Sequence, residues 1–330
     1  MIIVTGGAGF IGSNLVAGLE EKGVRDIVIC DVLGQEDKWR NIGKRGLRDI
    51  VRPDRLFDYL DSHGQEVDAI FHMGAVSSTT EKDADMIVET NFTLSRMLWK
   101  WCANNKVRFF YGSSSATYGD GANGFKDDES REALAKLRPL NPYGWSKHVF
   151  DRRIAQIVQD GKGELVPPQW VGFKFFNVYG PNEFHKGEQM SVVAKRYPEV
   201  VAGAAAKLFK SYNPQYADGG QLRDFVWIDD CIDIMIWFLT NPKVSGLYNI
   251  GSGKARSFND LADALFAATG KPRKITYIDM PEGLKEKYQY FTEADISKLR
   301  AAGYTKEMTS LEDGVKEYVT KYLDTAGPYR

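Results

Sequence analysis

The chain has 330 residues, enough for one large domain or a large domain with a smaller lobe. Hydrophobic residues make up 43% and charged residues 26%, an ordinary balance for a globule in water. The net charge of −1 offers no basic field to nucleic acid or acidic lipid, no apolar run approaches the ~20 residues of a membrane span, and the short apolar start lacks the basic leader of a secretory signal. In chain order, residues 2–4 predict a short buried strand that breaks into Gly6-Gly7-Ala8-Gly9-Phe10-Ile11-Gly12. Apolar spacing through Leu15, Val16 and Leu19 predicts a helix directly behind that turn. A second strand over 26–30 ends at Asp31, a basic stretch covers 38–48, and a short third strand covers 48–50. Residues 69–73 read as the fourth strand, closed by Gly74, with a long helical pattern from about 83 to 104 behind it. Residues 108–111 form the fifth strand and run into Gly112-Ser113-Ser114-Ser115. A helix opens near Tyr143 and runs to about 160, and residues 172–176 are the sixth strand.

Such alternation predicts an α/β chain with a Rossmann-type, doubly wound parallel sheet covered by helices on both faces. Ligands of such sheets sit beyond the carboxyl ends of the strands, and every notable loop here follows a strand. Past residue 181 the pattern is less regular. Segments 182–210 and 257 onward read as mostly helical, with short strands near 207–209 and 274–277, while a strand near 247–251 is expected to return to the large sheet. The expected division is a dinucleotide-binding domain over 1–181, completed by about 215–252, and a smaller, mostly helical substrate lobe over about 182–214 and 253–330.

The glycine turn carries the first chemical signal. Glycine lets backbone approach a ligand closely, and a helix N-terminus presents free N–H groups to a pyrophosphate. Asp31 follows about 20 residues after the last glycine, where a carboxylate can bond the adenosine ribose hydroxyls. The second signal is Tyr143-Gly144-Trp145-Ser146-Lys147 at the start of a helix. Tyr143 and Lys147 share a helix face, and an ammonium there is expected to lower a phenol whose free pKa is about 10. Tyr143 is then expected to take a hydroxyl proton while hydride leaves the same carbon, Lys147 also to hold the nicotinamide ribose, and Ser114 to bond the reacting oxygen. Cys30, Cys102 and Cys231 and the four histidines show no metal-ligand spacing, so no metal is expected, and buried free thiols suit a reducing cytoplasm.

Together these residues resemble the extended short-chain dehydrogenase/reductase family of NAD(P)-dependent epimerases, over nearly the whole chain. The resemblance is carried by the glycine turn, His72-Met73-Gly74-Ala75, Ser113 to Gly119, Tyr143 with Lys147, Asn177-Val178-Tyr179-Gly180-Pro181, and Arg223-Asp224-Phe225-Val226. Less common features point to its ADP-heptose 6-epimerase branch: Gly74 to Glu81, His185-Lys186-Gly187, Tyr288-Gln289-Tyr290-Phe291-Thr292 and Leu299 to Tyr304. The resemblance implies inversion at carbon 6″ of an ADP-linked heptose through a transient 6″-ketone, in the supply of ADP-heptose for lipopolysaccharide core. It further implies a cytoplasmic homo-oligomer, a homopentamer. Inversion moves the carbonyl oxygen to another side of the site, beyond the ~3 Å reach of one proton-transfer group. The family is described as using Tyr143's position in one orientation and Lys186's in the other.

The implied cofactor contacts are Gly6, Gly9, Phe10, Ile11, Gly12, Asp31, Val32, Lys38, Met73, Gly74, Ala75, Val76, Ser77, Asn91, Lys147, Val178 and Lys186. The implied substrate contacts are Ser114, Asn177, Glu188, Lys195, Phe209, Lys210, Ser211, Tyr212, Arg223 and Tyr288. A guanidinium fork gives Arg223 the best physical case for a diphosphate. Asp31 alone favours NAD, whereas Lys38, Arg40 and Arg52 could offset repulsion of a 2′-phosphate; the resemblance implies NADP, with NAD second. The chain departs from the family at Val32, Thr90, Lys174 (usually arginine) and Glu188, whose carboxylate is expected to point away from a diphosphate or bond sugar hydroxyls. The alternatives are another nucleotide-sugar enzyme, such as a UDP-hexose 4-epimerase, and a redox sensor, which typically loses the Tyr–Lys pair.

Overall fold

The computed structural model describes residues 1–161, 163–285 and 288–330. Its strands are β1 (Ile2–Thr5), β2 (Ile27–Cys30), β3 (Asp49–Val51), β4 (Ala69–His72), β5 (Arg108–Ser114), β6 (Trp170–Phe175), β7 (Asn177–Tyr179), β8 (Ala206–Phe209), β9 (Leu222–Trp227), β10 (Gly246–Ile250), β11 (Ala255–Ser257) and β12 (Ile275–Ile278). Seven of them form one sheet in the order β10-β6-β5-β4-β1-β2-β3, and every pairing in it is parallel. The strand expected at 247–251 does return to this sheet, beyond β6. β1, β2 and β4 are buried along their whole length, which is why they read as continuous apolar runs rather than alternating ones. Successive residues of β5 serve opposite layers: Phe110 joins the core on one face of the sheet and Phe109 the core on the other.

Strand register sets where the site lies. Thr5 pairs with Cys30 on one side and His72 on the other, so β1, β2 and β4 end level. Ser114 pairs with Phe175, so β5 and β6 also end together. His72 ties this edge down, with Nδ1 2.7 Å from Thr5 Oγ1 and Nε2 2.9 Å from Ser95 Oγ. Burial, with help from the Lys147 charge, drops its pKa to about 3, so the ring is a neutral strut.

Two features differ from the sequence expectation. The helix expected from 83 to 104 is divided into Ala84–Ile87, a π-helical turn Val88–Thr93, and Leu94–Asn105. The wide turn lets Asn91 reach the loop after β4: its Oδ1 accepts the Val76 N–H at 2.8 Å and its Nδ2 donates to the Val76 carbonyl at 2.9 Å. The second half is also less helical than its pattern suggests. β7, β9 and β11 form a three-stranded sheet and β8 pairs with β12, while the helix Ile228–Thr240 packs on the large sheet's core. Among the described residues no helix is long and apolar enough to cross a membrane.

Candidate active site

A cleft of about 1010 Å³ opens over the carboxyl ends of β1, β4, β5 and β6. Its floor is the glycine turn. Gly6 has φ +64°, and a Cβ there would lie 2.6 Å from the Gly74 nitrogen. A Cβ on Gly12 would lie 2.1 Å from the Gly6 carbonyl oxygen, so only glycine lets the helix start this close to the strand. The helix Phe10–Glu21 begins at Gly9 with no side-chain cap, which leaves its first N–H groups free for an anion. That cradle fits a dinucleotide's pyrophosphate.

At the adenosine end, Asp31 is already engaged. Its Oδ2 accepts the Ala8 N–H at 2.9 Å, and its Oδ1 accepts the Val32 N–H at 2.7 Å and Lys38 Nζ at 2.6 Å. Lys38 therefore neutralises the carboxylate at this end of the cleft. Arg40 pairs with Asp37 and Arg52 with Asp54, both in solvent and outside the cleft lining.

The opposite wall is the helix Pro142–Asp160. Asn141 caps it by accepting the Gly144 N–H at 2.8 Å, and Pro142 supplies a pre-set first turn. Gly144 permits close approach to the turn after β5, since a Cβ there would lie 2.7 Å from the Ala116 carbonyl oxygen. Tyr143, Lys147 and Asp151 then fall on one face, four residues apart. Tyr143 and Ser114 line the cleft together. The expected lowering of the phenol by Lys147 is not what the structure gives: burial pushes Tyr143 upward, the nearby Ser114 hydroxyl opposes this, and the Asp151 charge adds to it. Burial also brings Lys147 down to about 8 against the pull of Asp151.

Beneath this wall lies a closed ion pair. Lys174 and Asp151 are both fully buried and meet at 2.8 Å. Asp151 also accepts from Tyr111 at 3.0 Å and Ser113 at 2.7 Å, while Lys174 donates to Thr117 Oγ1 at 2.6 Å. Thr117 in turn donates to the Ser114 carbonyl at 2.7 Å. Lys174 is thus enclosed under Ser114 and away from the cleft.

The third wall is the turn Phe184–Gln189, broken at Gly187 with φ 52°. Lys186 lines the cleft with its ammonium 4.9 Å from the centre of the Phe10 ring. Burial lowers its pKa below the ordinary lysine value; the Glu183 charge opposes this and Lys195 adds to it. His185 meets Asn41 at 3.1 Å, and burial lowers it to about 4. Glu188 turns its carboxylate into solvent, where it pairs with Lys195 at 3.0 Å. Arg223 closes the far end, between the rings of Tyr288 at 5.0 Å and Phe258 at 5.8 Å. Its guanidinium makes one hydrogen bond to a described residue, the Leu222 carbonyl at 2.8 Å, so most of its fork remains free for an anion.

The cleft brings together most of the residues singled out in the sequence, including Tyr143, Lys147, Ser114, Lys186, Asn177, Arg223 and Tyr288. Val32, Asn91, Lys195, Phe209, Lys210, Ser211 and Tyr212 are not in its lining. Asn91 is fully buried and also bonds Ser146 Oγ at 3.0 Å, so it braces the β4 loop against the 142–160 helix rather than facing a ligand. Tyr212 and Lys210 are held outward by Asp279, at 2.7 and 3.2 Å. Conversely, Ser78, Thr79 and Thr80, quoted in the sequence as part of a family feature but not as contacts, line the cleft, as do Gln189, Met190 and Phe258, which were not singled out. The first three could have been read from their place beyond the end of β4. Phe258 carries no such signal, because only the fold puts its helix beside Arg223.

The profile of the NAD dependent epimerase/dehydratase family matches residues 2–251. The ADP-L-glycero-D-manno-heptose-6-epimerase of Nitratidesulfovibrio vulgaris is 48% identical over the full length of both chains. The crystal structure of the Helicobacter pylori ADP-L-glycero-D-manno-heptose-6-epimerase covers 97% of this chain and 95% of its own, with a TM-score of 0.77 at 30% identity. The UDP-glucuronic acid 4-epimerase of Bacillus cereus, solved with UDP-glucuronic acid and NAD, covers 96% of each chain with a TM-score of 0.74 at 25% identity.

Proposed function

The chain belongs to the NAD dependent epimerase/dehydratase family, and from that premise we propose that it epimerises ADP-glycero-manno-heptose at carbon 6″. The observation that carries this reading is the pairing of two proton-transfer candidates, Tyr143 and Lys186, in one cleft beside an anion-ready glycine turn. A bound nicotinamide would take the C6″ hydrogen with its electron pair and give it back. The protein's own work is binding and proton transfer. Arg223 grips the diphosphate, and Asn177 bonds the sugar or diphosphate. Tyr143 removes the 6″ hydroxyl proton in one orientation, with Ser114 holding the oxygen and Lys147 holding the nicotinamide ribose. After the side arm rotates, Lys186 returns a proton to the oxygen in its new place. A lysine whose affinity for protons is reduced by burial suits that exchange.

NADP is the cofactor we favour. Lys38 covers Asp31, which would otherwise repel a 2′-phosphate, and supplies a cation to it. Denatured protein is expected to release NADP, identified by mass; release of NAD alone would contradict this. We assign residues 1–181 with about 215–252 to cofactor binding and the remainder to the substrate lobe. The reaction belongs in the cytoplasm, where three buried free thiols suit a reducing environment, and a homo-oligomer is expected by light scattering. The test of the assignment is incubation with each ADP-heptose epimer and with UDP-glucose, read by NMR. Interconversion of the two heptoses and no change in UDP-glucose is the expected result; the reverse would make the protein a 4-epimerase.

A further inference from the structure

Glu183 is a fully buried carboxylate for which the proposed chemistry has no use. It stands three residues before Lys186, and its backbone carbonyl accepts the Lys186 N–H at 3.0 Å. Its side chain accepts from the Ser191 N–H at 2.5 Å and Ser191 Oγ at 2.6 Å. Ser191 is the N-cap of the helix Val192–Val201. The hydroxyl of Tyr318, from the helix Leu311–Tyr318, donates to the same carboxylate at 3.1 Å. Three elements therefore meet on one pair of oxygens: the lysine's turn, the helix after it and a helix near the C-terminal end. A buried carboxylate with this many donors is a costly arrangement that a neutral side chain would avoid.

We propose that Glu183 is a positioning residue for Lys186, tethering the turn that carries it and supplying the counter-charge that keeps its ammonium in the cleft. This rests on the reading of Lys186 as the second proton-transfer group. Burial raises the Glu183 carboxyl, while the Lys186 charge and the Ser191 and Tyr318 donors pull it back. The other charge facing Lys186 is Lys195, from the helix Val192–Val201, itself paired with Glu188; Phe10 faces it from the first helix, and neutral His185 adjoins it on its own turn. Among the described residues, Glu183 is thus the carboxylate whose charge opposes the burial of the lysine.

The direction of the effect follows. Lys186 acts as a base in its neutral form, and a neighbouring carboxylate keeps it protonated to higher pH. Loss of that charge moves the basic form to lower pH. The experiment uses holoenzyme in single-turnover bursts of bound reduced nicotinamide, started from each C6″ epimer in turn. Lys186→Met is expected to abolish one burst and keep the other, which labels the lysine-dependent half. Glu183→Gln is expected to keep the other burst, which shows that it folds, and to shift the pH limb of the lysine-dependent burst down by about one unit. Glu183→Asp is expected to restore that limb toward wild type. A lysine-dependent limb unmoved in Glu183→Gln overturns the inference while leaving the role of Lys186 intact. Two bursts surviving in Lys186→Met take down the underlying reading and the inference with it. Should Glu183→Gln not fold, Tyr318→Phe and Ser191→Ala each remove a donor from the tether. Both are expected to slow the lysine-dependent burst several-fold and spare the other, and two unchanged bursts would overturn the proposal.

Discussion

Lys186→Met is expected to keep its cofactor and to oxidise one epimer, yet to lose epimerisation by roughly a hundredfold to ten-thousandfold, the range for removal of a general acid or base. The methionine keeps most of the side chain's packing against the Phe10 ring and deletes only the ammonium. Tyr143 and Ser114 keep their places in the cleft in that variant, so proton transfer in one orientation survives. Enzyme saturated with that epimer should stall with reduced nicotinamide visible in its absorbance. Turnover near wild type would remove Lys186 from the mechanism and leave Tyr143 to serve both orientations.

The largest stability effect is expected at Lys174→Met. Lys174 and Asp151 are enclosed by Tyr111, Ser113, Thr117 and Tyr118, with the ammonium 4.8 Å from the Tyr118 ring centre. Removing the lysine leaves a buried carboxylate with two hydroxyl donors and without its ion-pair partner, a loss of about 3–5 kcal/mol. The double variant Lys174→Met, Asp151→Asn should recover most of that, because it removes the stranded charge as well. Denaturant unfolding of the three proteins measures both terms. Equal instability of the single and double variants would show that the cost lies in packing and not in charge.

These residues also show what could be read without coordinates. The large sheet was legible because β1, β2 and β4 are buried on both faces, and apolar runs broken by glycine leave little choice of element. Tyr143 and Lys147 were legible because helix periodicity fixes their shared face. The substrate end was less so. Arg223 sits on β9, which pairs with β7 across 48 positions of sequence and places Arg223 opposite Arg256 of β11, 33 positions away, and no local pattern announces such pairing. Asn91 matched a family position, yet a π-helical turn spends its amide on Val76 and Ser146. Lys210 and Tyr212 have the chemistry of anion contacts, but Asp279, distant in the chain, holds them outward. Glu183 gave no signal because its meaning lies in Ser191 and Tyr318, which only the folded chain brings to it.

The most direct test of the account is the fate of the hydrogen on carbon 6″. ADP-glycero-manno-heptose carrying deuterium at that carbon is incubated with the wild-type protein, and the product is read by NMR for configuration and label together. Withdrawal and return of the same hydrogen predicts inverted configuration with the deuterium still on carbon 6″. Inverted product with deuterium exchanged for solvent hydrogen would mean that the bond breaks by proton loss, and would contradict the account.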